Sequence, residues 1–182
     1  MGMAAPVYYT ADMVRALPED GNRYEAVFGE LLVTPAPQVW HQVIVGRLLE
    51  ALTAYLHRYA VGYALGSPAD ISWSADTLVQ PDVFVADLGE VRALDWSRVK
   101  RLLLAVEVLS PATARYDRFT KRRLYQEVGV PVYWIVDPDE KLVDVWTPGD
   151  VRPVTHDECV VWSPAGAAEP LAIPLVELFR AI

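Results

Sequence analysis

Two stretches, VQPDVFVAD (residues 79–87) and LLLAVEVLS (residues 102–110), constrain the fold most. Each is apolar enough to demand burial as a β-strand, and each carries one carboxylate, Asp82 and Glu107, where burial is most costly. An unpaired ionised carboxylate in an apolar interior is strongly disfavoured. Side chains alternate along a strand, so Asp82 is expected on the face of Phe84 and Ala86, and Glu107 on the face of Ala105 and Leu109. Two acids side by side on neighbouring buried strands repel, and each raises the other's pKa unless a cation lies between them. A hard divalent ion with oxygen ligands, magnesium or manganese, resolves the conflict, with Asp82 and Glu107 as its ligands. The competing reading gives each acid its own arginine partner as a structural bridge.

The remaining sequence is that of a packed globular chain. Its 182 residues fit one domain, residues 1–182, with a core of its own. Apolar residues reach 53 %, with six Trp and nine Tyr, which excludes a disordered class. No apolar run approaches the ~18 residues of a membrane span. The start, MGMAAPVYYTADMVRAL, lacks the basic opening and long apolar stretch of a signal peptide. The one cysteine, Cys159, excludes an internal disulfide and a Cys-rich zinc site. A soluble cytoplasmic protein, not bound to membrane, is the expectation.

Charge is unevenly spread. The net charge is −8 and the pI about 4.8, which argues against nucleic acid as a general partner. Yet residues 98–123 hold eight of the sixteen basic residues against only Glu107 and Asp117, so this segment carries +6 and the rest of the chain −14. A basic segment on an acidic body suits one local polyanion site; a solvated helix face paired with acids elsewhere is the alternative.

Periodicity gives the order of elements. Thr10 can cap a short helix, ADMVRAL, that ends before Pro18. RYEAV and ELLVT flank a Phe28-Gly29 turn and read as a β-hairpin. From Val39 to Tyr59, the residues Trp40, Ile44, Leu48, Leu52, Tyr55, Leu56 and Tyr59 recur at the spacing of one buried helix face. Strands are expected at GYAL, ADISW, VQPDVFVAD and LLLAVEVLS, the last two separated by a polar linker over 88–100. A loop at 110–116 leads to a helix over 117–128 ended by Gly129, then to the strands VYWIVDP and LVDVWTP. Residues 147–182, with a strand near CVVW and a final PLVELFRA, read as peripheral to a core of about 24–146. The class is α/β with a mixed sheet. Lys121 lies in the helix that follows Glu107's strand, four residues from Tyr125 on one face, with Arg118 a turn earlier, so it can reach toward the two acids if the helix packs back on its sheet.

The ordered set QPDVFV, AVEVLSPAT and a lysine-bearing helix running into GVPVYWIVDP resembles the Uma-two family of restriction-endonuclease-like proteins, within the PD-(D/E)XK nuclease superfamily. The resemblance runs from about Tyr24 to Trp146, about two thirds of the chain, and includes YEAVFGELLVTPAP and the helix opening WHQVIVGRLL. It implies a restriction-endonuclease-like fold, a mixed central β-sheet flanked by helices with an N-terminal helix and β-hairpin, and a magnesium-dependent phosphodiester hydrolase site. Pro81-Asp82 matches the PD element and Glu107 the second acid. Two residues after Glu107 the superfamily's lysine is replaced by Leu109, and Lys121 is the candidate for its place.

On this reading the catalytic residues are Asp82, Glu107 and Lys121. Asp82 and Glu107 hold one or two Mg2+ (or Mn2+) ions, which activate water and polarise the phosphate. Lys121 orients or helps deprotonate the water, or neutralises charge on the phosphate. Arg115, Arg118 and Arg122 are candidate phosphate contacts, and Glu30 and His41 are candidate supporting groups. The expected substrate is DNA, bound weakly or conditionally, because no helix-turn-helix, zinc finger or basic tail is present. A homodimer is implied by the architecture, since two strands need two sites. Two alternatives stand beside the endonuclease: a nuclease-fold binding or regulatory module that does not turn over, and a metal-dependent hydrolase of another phosphate ester.

Overall fold

The computed structural model describes residues 7–182; residues 1–6, the opening of the segment read above as lacking a leader, lie outside the described residues. Thr10 accepts the Met13 N–H and so starts α1 (Ala11–Arg15). β1 (Arg23–Val27) and β2 (Glu30–Thr34) form the expected antiparallel hairpin, with Glu25 opposite Leu32. Its turn takes positive φ at both central residues, 53° at Phe28 and 79° at Gly29. That turn matches the right-handed twist of paired strands. A Cβ at Gly29 would also lie 2.3 Å from the Tyr8 ring, so any other residue there would have to displace that side chain.

The long helix α2 (Val39–Arg58) buries Ile44, Val45, Leu48, Leu52, Tyr55 and Leu56 along the stripe its spacing predicts. The central sheet then assembles from β3 (Tyr63–Gly66), β4 (Val83–Ala86), β5 (Leu102–Val108), β6 (Tyr133–Asp137), β7 (Leu142–Trp146) and β8 (Val154–His156). These strands lie in sequence order, and every neighbouring pair is antiparallel except β5 and β6. The sheet is therefore mixed. Parallel neighbours need a crossover, and the segment between β5 and β6 supplies it with helix.

Each face of the sheet has its own core. On one face, Val83, Val85, Leu104, Val106, Val108, Trp134 and Val136 meet the apolar stripe of α2. On the other, Phe84, Ala86, Ala105, Leu109, Tyr133 and Ile135 meet Val27 of the hairpin and Leu124 and Tyr125 of the crossover.

Four readings change. The stretch 79–87 is not one strand, because Pro81 has no N–H to give a ladder. Before it, Leu78 pairs with Ala26 and Val79 with Ile71; after it, β4 begins at Val83. ADISW contributes only the Ile71–Val79 bridge and is otherwise not a strand. The 88–100 linker holds two short turns of helix, α3 (Leu88–Val91) and Trp96–Arg98, started by the Asp87 and Asp95 side chains. The helix expected over 117–128 opens as a π-helix (Tyr116–Lys121) before continuing as α4 (Arg122–Glu127).

Residues beyond β8, read as peripheral, pair as β9 (Cys159–Trp162) and β10 (Leu171–Pro174) and end in α5 (Leu175–Leu178). Their Val160, Trp162, Ile173, Leu175, Leu178 and Phe179 complete the core around α2. Among the described residues, no helix is long and apolar enough to cross a membrane.

Candidate active site

The β4–β5 register sets Val83 opposite Val106, so continuing the ladder by one step brings Asp82 opposite Glu107. Both acids lie on the face that carries Phe84, Ala86, Ala105 and Leu109, as alternation predicts. Asp82 is locked to the neighbouring strand by the Val108 N–H, 2.9 Å from its Oδ2. Glu107 is fully buried.

Lys121 reaches the pair. Its Nζ lies 3.0 Å from Glu107 Oε1, 3.0 Å from Glu25 Oε1 and 3.6 Å from Asp117 Oδ1, and its side chain is wholly buried. The π-helical turn explains how. A wider turn keeps residues four apart closer to one line than an α-helix does, and such turns concentrate at functional sites. Asp117, Lys121 and Tyr125 all face inward as a result, with the Tyr125 hydroxyl donating to Glu107 Oε1 at 3.0 Å. Leu109, at the position of the superfamily's usual lysine, is buried in the apolar core.

Glu25 was not among the residues expected in the site. It comes from β1, is fully buried, and accepts the Gln80 N–H at 2.7 Å through the same oxygen that meets Lys121. Nothing in RYEAV set it apart, because an acid at that place fits the polar and apolar alternation of an ordinary hairpin strand. Glu30, the hairpin acid expected instead, is exposed beside the turn. His41, at the start of α2, does touch the site, with Nε2 3.1 Å from Asp82 Oδ2.

Of the three arginines expected at phosphate, two are committed elsewhere. Arg118 pairs with Asp137 at 2.6 Å and Asp144 at 3.3 Å. Arg122 donates to Gln126 at 2.8 Å and stacks on the Trp146 ring at 4.7 Å. Arg115 is exposed. The arginine that does enter the site is Arg23, whose Nη1 lies 2.8 Å from Asp82 Oδ1.

Charge in the cluster does not balance. Four acids, Glu25, Asp82, Glu107 and Asp117, face two fixed cations, Arg23 and Lys121. The competing reading of the sequence is half met, since Asp82 has an arginine and Glu107 a lysine, but the lysine is shared three ways. Burial alone would raise the Asp82 carboxyl; the His41 hydrogen bond and the Arg23 charge overcome it and hold the group well below the usual range. Glu107 goes the other way: burial, with Lys121 only partly offsetting it and Asp82 and Asp117 adding to it, pushes its carboxyl well up. Burial likewise carries Asp117 to about 6 despite Lys121. Lys121 is raised because Glu107, Glu25 and Asp117 outweigh the burial that would lower it. An ammonium set among three carboxylates is a poor proton acceptor, so the geometry favours the positioning and charge-neutralising options expected of Lys121 over deprotonation of water.

A cleft of about 720 Å³ opens over this cluster, lined by Arg23, His41, Asp82, Gln80, Ser110 and Thr113 among others. Glu25, Glu107, Lys121 and Asp117 lie behind that lining.

The family model described as "Putative restriction endonuclease", Uma2, matches residues 11–169. The chain belongs to the Uma-two family. Among solved structures it is similar to one described as a putative nuclease belonging to DUF820, from Anabaena variabilis. Their identity is 23 %, the match covers 94 % of this chain and 97 % of that one, and the TM-score is 0.78. No curated protein matches the chain. The restriction-endonuclease-like fold expected of a Uma-two protein is thus found, and the family description is that of a nuclease.

The donor set of this Uma-two protein fits a hard divalent cation. Glu25 Oε2, Glu107 Oε2 and Asp117 Oδ1 are buried carboxylate oxygens without a hydrogen-bond donor. Such oxygens need a proton or a cation. Among the described residues, no three His, Cys, Asp or Glu side chains are arranged to share one metal. Magnesium commonly takes one or two carboxylates and completes its shell with water and substrate oxygens.

Proposed function

We propose that this protein is a magnesium- or manganese-dependent endonuclease that hydrolyses phosphodiester bonds in DNA. The observation that carries the reading is the buried excess of carboxylate over ammonium and guanidinium charge, directly beneath a cleft. Asp82 and Glu107 would hold the ion, Asp82 from the cleft side and Glu107 through its unpartnered Oε2. Held by these two carboxylates, a divalent ion would supply Lewis-acid chemistry, making a bound water more acidic and polarising the scissile phosphate. Lys121 and Tyr125 fix Glu107 by sharing its Oε1, which leaves Oε2 as the oxygen aimed at a ligand. Lys121 keeps its proton and opposes the negative charge that develops on phosphorus-bound oxygen. His41 orients Asp82 from the cleft wall.

The cleft lining includes Glu19, Asp70 and Asp82 against Arg15 and Arg23, so its own charge does little to draw in a polyanion. Weak DNA binding that strengthens with metal follows from that balance. The test is nicking of supercoiled plasmid with Mg2+ or Mn2+. Asp82→Ala and Glu107→Gln are each expected to lower the rate at least about 100-fold. Nicking that survives both substitutions overturns this site.

One observation favours a second reading, a binding module that keeps the nuclease fold without turnover: both oxygens of Asp82 are engaged by Arg23, His41 and the Val108 N–H. Absence of nicking with every metal, beside measurable DNA binding, would select it.

A further inference from the structure

Arg23 occupies an unusual position between two acids. Its Nη1 bonds Asp82 Oδ1 at 2.8 Å and is 3.3 Å from both the Gln80 carbonyl and Ser67 Oγ. Its Nε is buried and has no hydrogen-bond acceptor. The nearest acid to that nitrogen is Glu25, whose Oε2 lies 3.8 Å away and is itself buried without a donor. A donor and an acceptor that both lack partners, separated by slightly more than hydrogen-bond length, mark a second resting place for the guanidinium. Arg23 thus hydrogen-bonds Asp82 but not Glu25, while a shift of about 1 Å toward Glu25 would bring Nε–Oε2 into hydrogen-bond range.

We propose that Arg23 is the positioning residue that yields Asp82 to the metal ion, moving its guanidinium from Asp82 to Glu25 as the cation arrives. The inference rests on the metal-site reading above. Metal ligation asks for an Asp82 oxygen that Arg23 now covers, and the cation and the guanidinium are competitors for it. After the exchange the ion takes Asp82 and Glu107, and Arg23 turns to the otherwise unsatisfied Glu25 oxygen. Arg23 also lines the cleft, so the exchange happens where a substrate phosphate would enter. A merely structural bridge would instead hold Asp82 in place for the metal, and its loss would weaken metal binding.

The opposite sign tests the proposal. Mn2+ alone is titrated by calorimetry into the wild type, Arg23→Gln, Arg23→Lys and Asp82→Ala, each confirmed folded by circular dichroism. Arg23→Gln is expected to bind Mn2+ about tenfold more tightly than the wild type. Arg23→Lys keeps the charge but lacks the planar guanidinium whose Nη1 covers Asp82 Oδ1, and is expected to bind more tightly too. Should Arg23→Gln fail to fold, Arg23→Lys decides alone. Wild-type affinity in Arg23→Lys overturns the exchange, since tighter binding by Arg23→Gln alone would then reflect only added negative charge. Weaker binding in the arginine variants also overturns it, while leaving the metal site standing. If Mn2+ binds the wild type and Asp82→Ala equally, or binds none of the folded proteins, the metal-site reading falls and the exchange with it.

Discussion

Lys121 is the residue on which the buried cluster depends. Its ammonium touches Glu25, Glu107 and Asp117, all of them within the protein interior. Buried ion pairs often add little net stability, yet removing one partner is costly because the other charge is left without compensation. Lys121→Met leaves three acids with no neighbour of opposite sign except Arg23, and it is expected to destabilise the fold by about 3–5 kcal/mol at neutral pH. Urea unfolding checks this, and the loss should shrink at mildly acid pH, where the acids take up protons. A stability equal to the wild type would mean that these carboxylates are already protonated at neutral pH.

Among the elements, α2 is the one most dependent on what covers it. One side of its apolar stripe meets the sheet, and the C-terminal segment closes the rest: the Trp162 ring stands 5.9 Å from Tyr55, and Arg47 donates to the Leu178 and Arg180 carbonyls. Trp162→Ala removes one of the largest fully buried side chains and is expected to cost about 3–5 kcal/mol in urea unfolding. Most elements were legible because a three-and-four spacing survives along α2, where one face is buried, and a continuous apolar run marks β5, buried on both faces. The pair Asp82–Glu107 was legible for the same reason, since an acid breaks an apolar pattern visibly. Glu25 was not: RYEAV reads as the ordinary polar and apolar alternation of a hairpin, and the strand is buried only because Leu78 and Gln80 close over it from distant sequence. The basic helix misled in the other direction. Arg118 and Arg122 look like free cations in sequence, and their partners Asp137, Asp144 and Trp146 come from strands that fold beside them.

For the whole molecule, the cluster ties stability to pH and metal. Asp117, raised to about 6, and Glu107, raised further, contribute stability that is full below the ordinary carboxylate value and lost as pH rises through their folded values. Asp82, held low, contributes stability present above the ordinary value and lost as pH falls through its folded value. The metal-free protein is therefore expected to melt highest in mildly acid solution and lower as pH rises through about 6, where Asp117 loses its proton, and on toward the higher Glu107 value. Because a cation replaces the protons these groups would hold, the rise in melting temperature produced by Mn2+ should grow over the same range. Thermal melts with and without Mn2+ test both trends; a metal-free melting temperature that rises steadily toward pH 8 would contradict the charge balance described here.

The hairpin of β1 and β2 is a sheet of its own, fastened to the body near Ala26 and Leu78 rather than woven into the six strands. Yet Arg23 and Glu25 both ride on it. Two of the six charged residues of the cluster are accordingly on this hairpin, and peeling it away would dismantle the centre while the principal β-layer stayed whole. Loss of function on gentle warming should come ahead of global melting, with protease cuts near the Phe28-Gly29 tip as its companion.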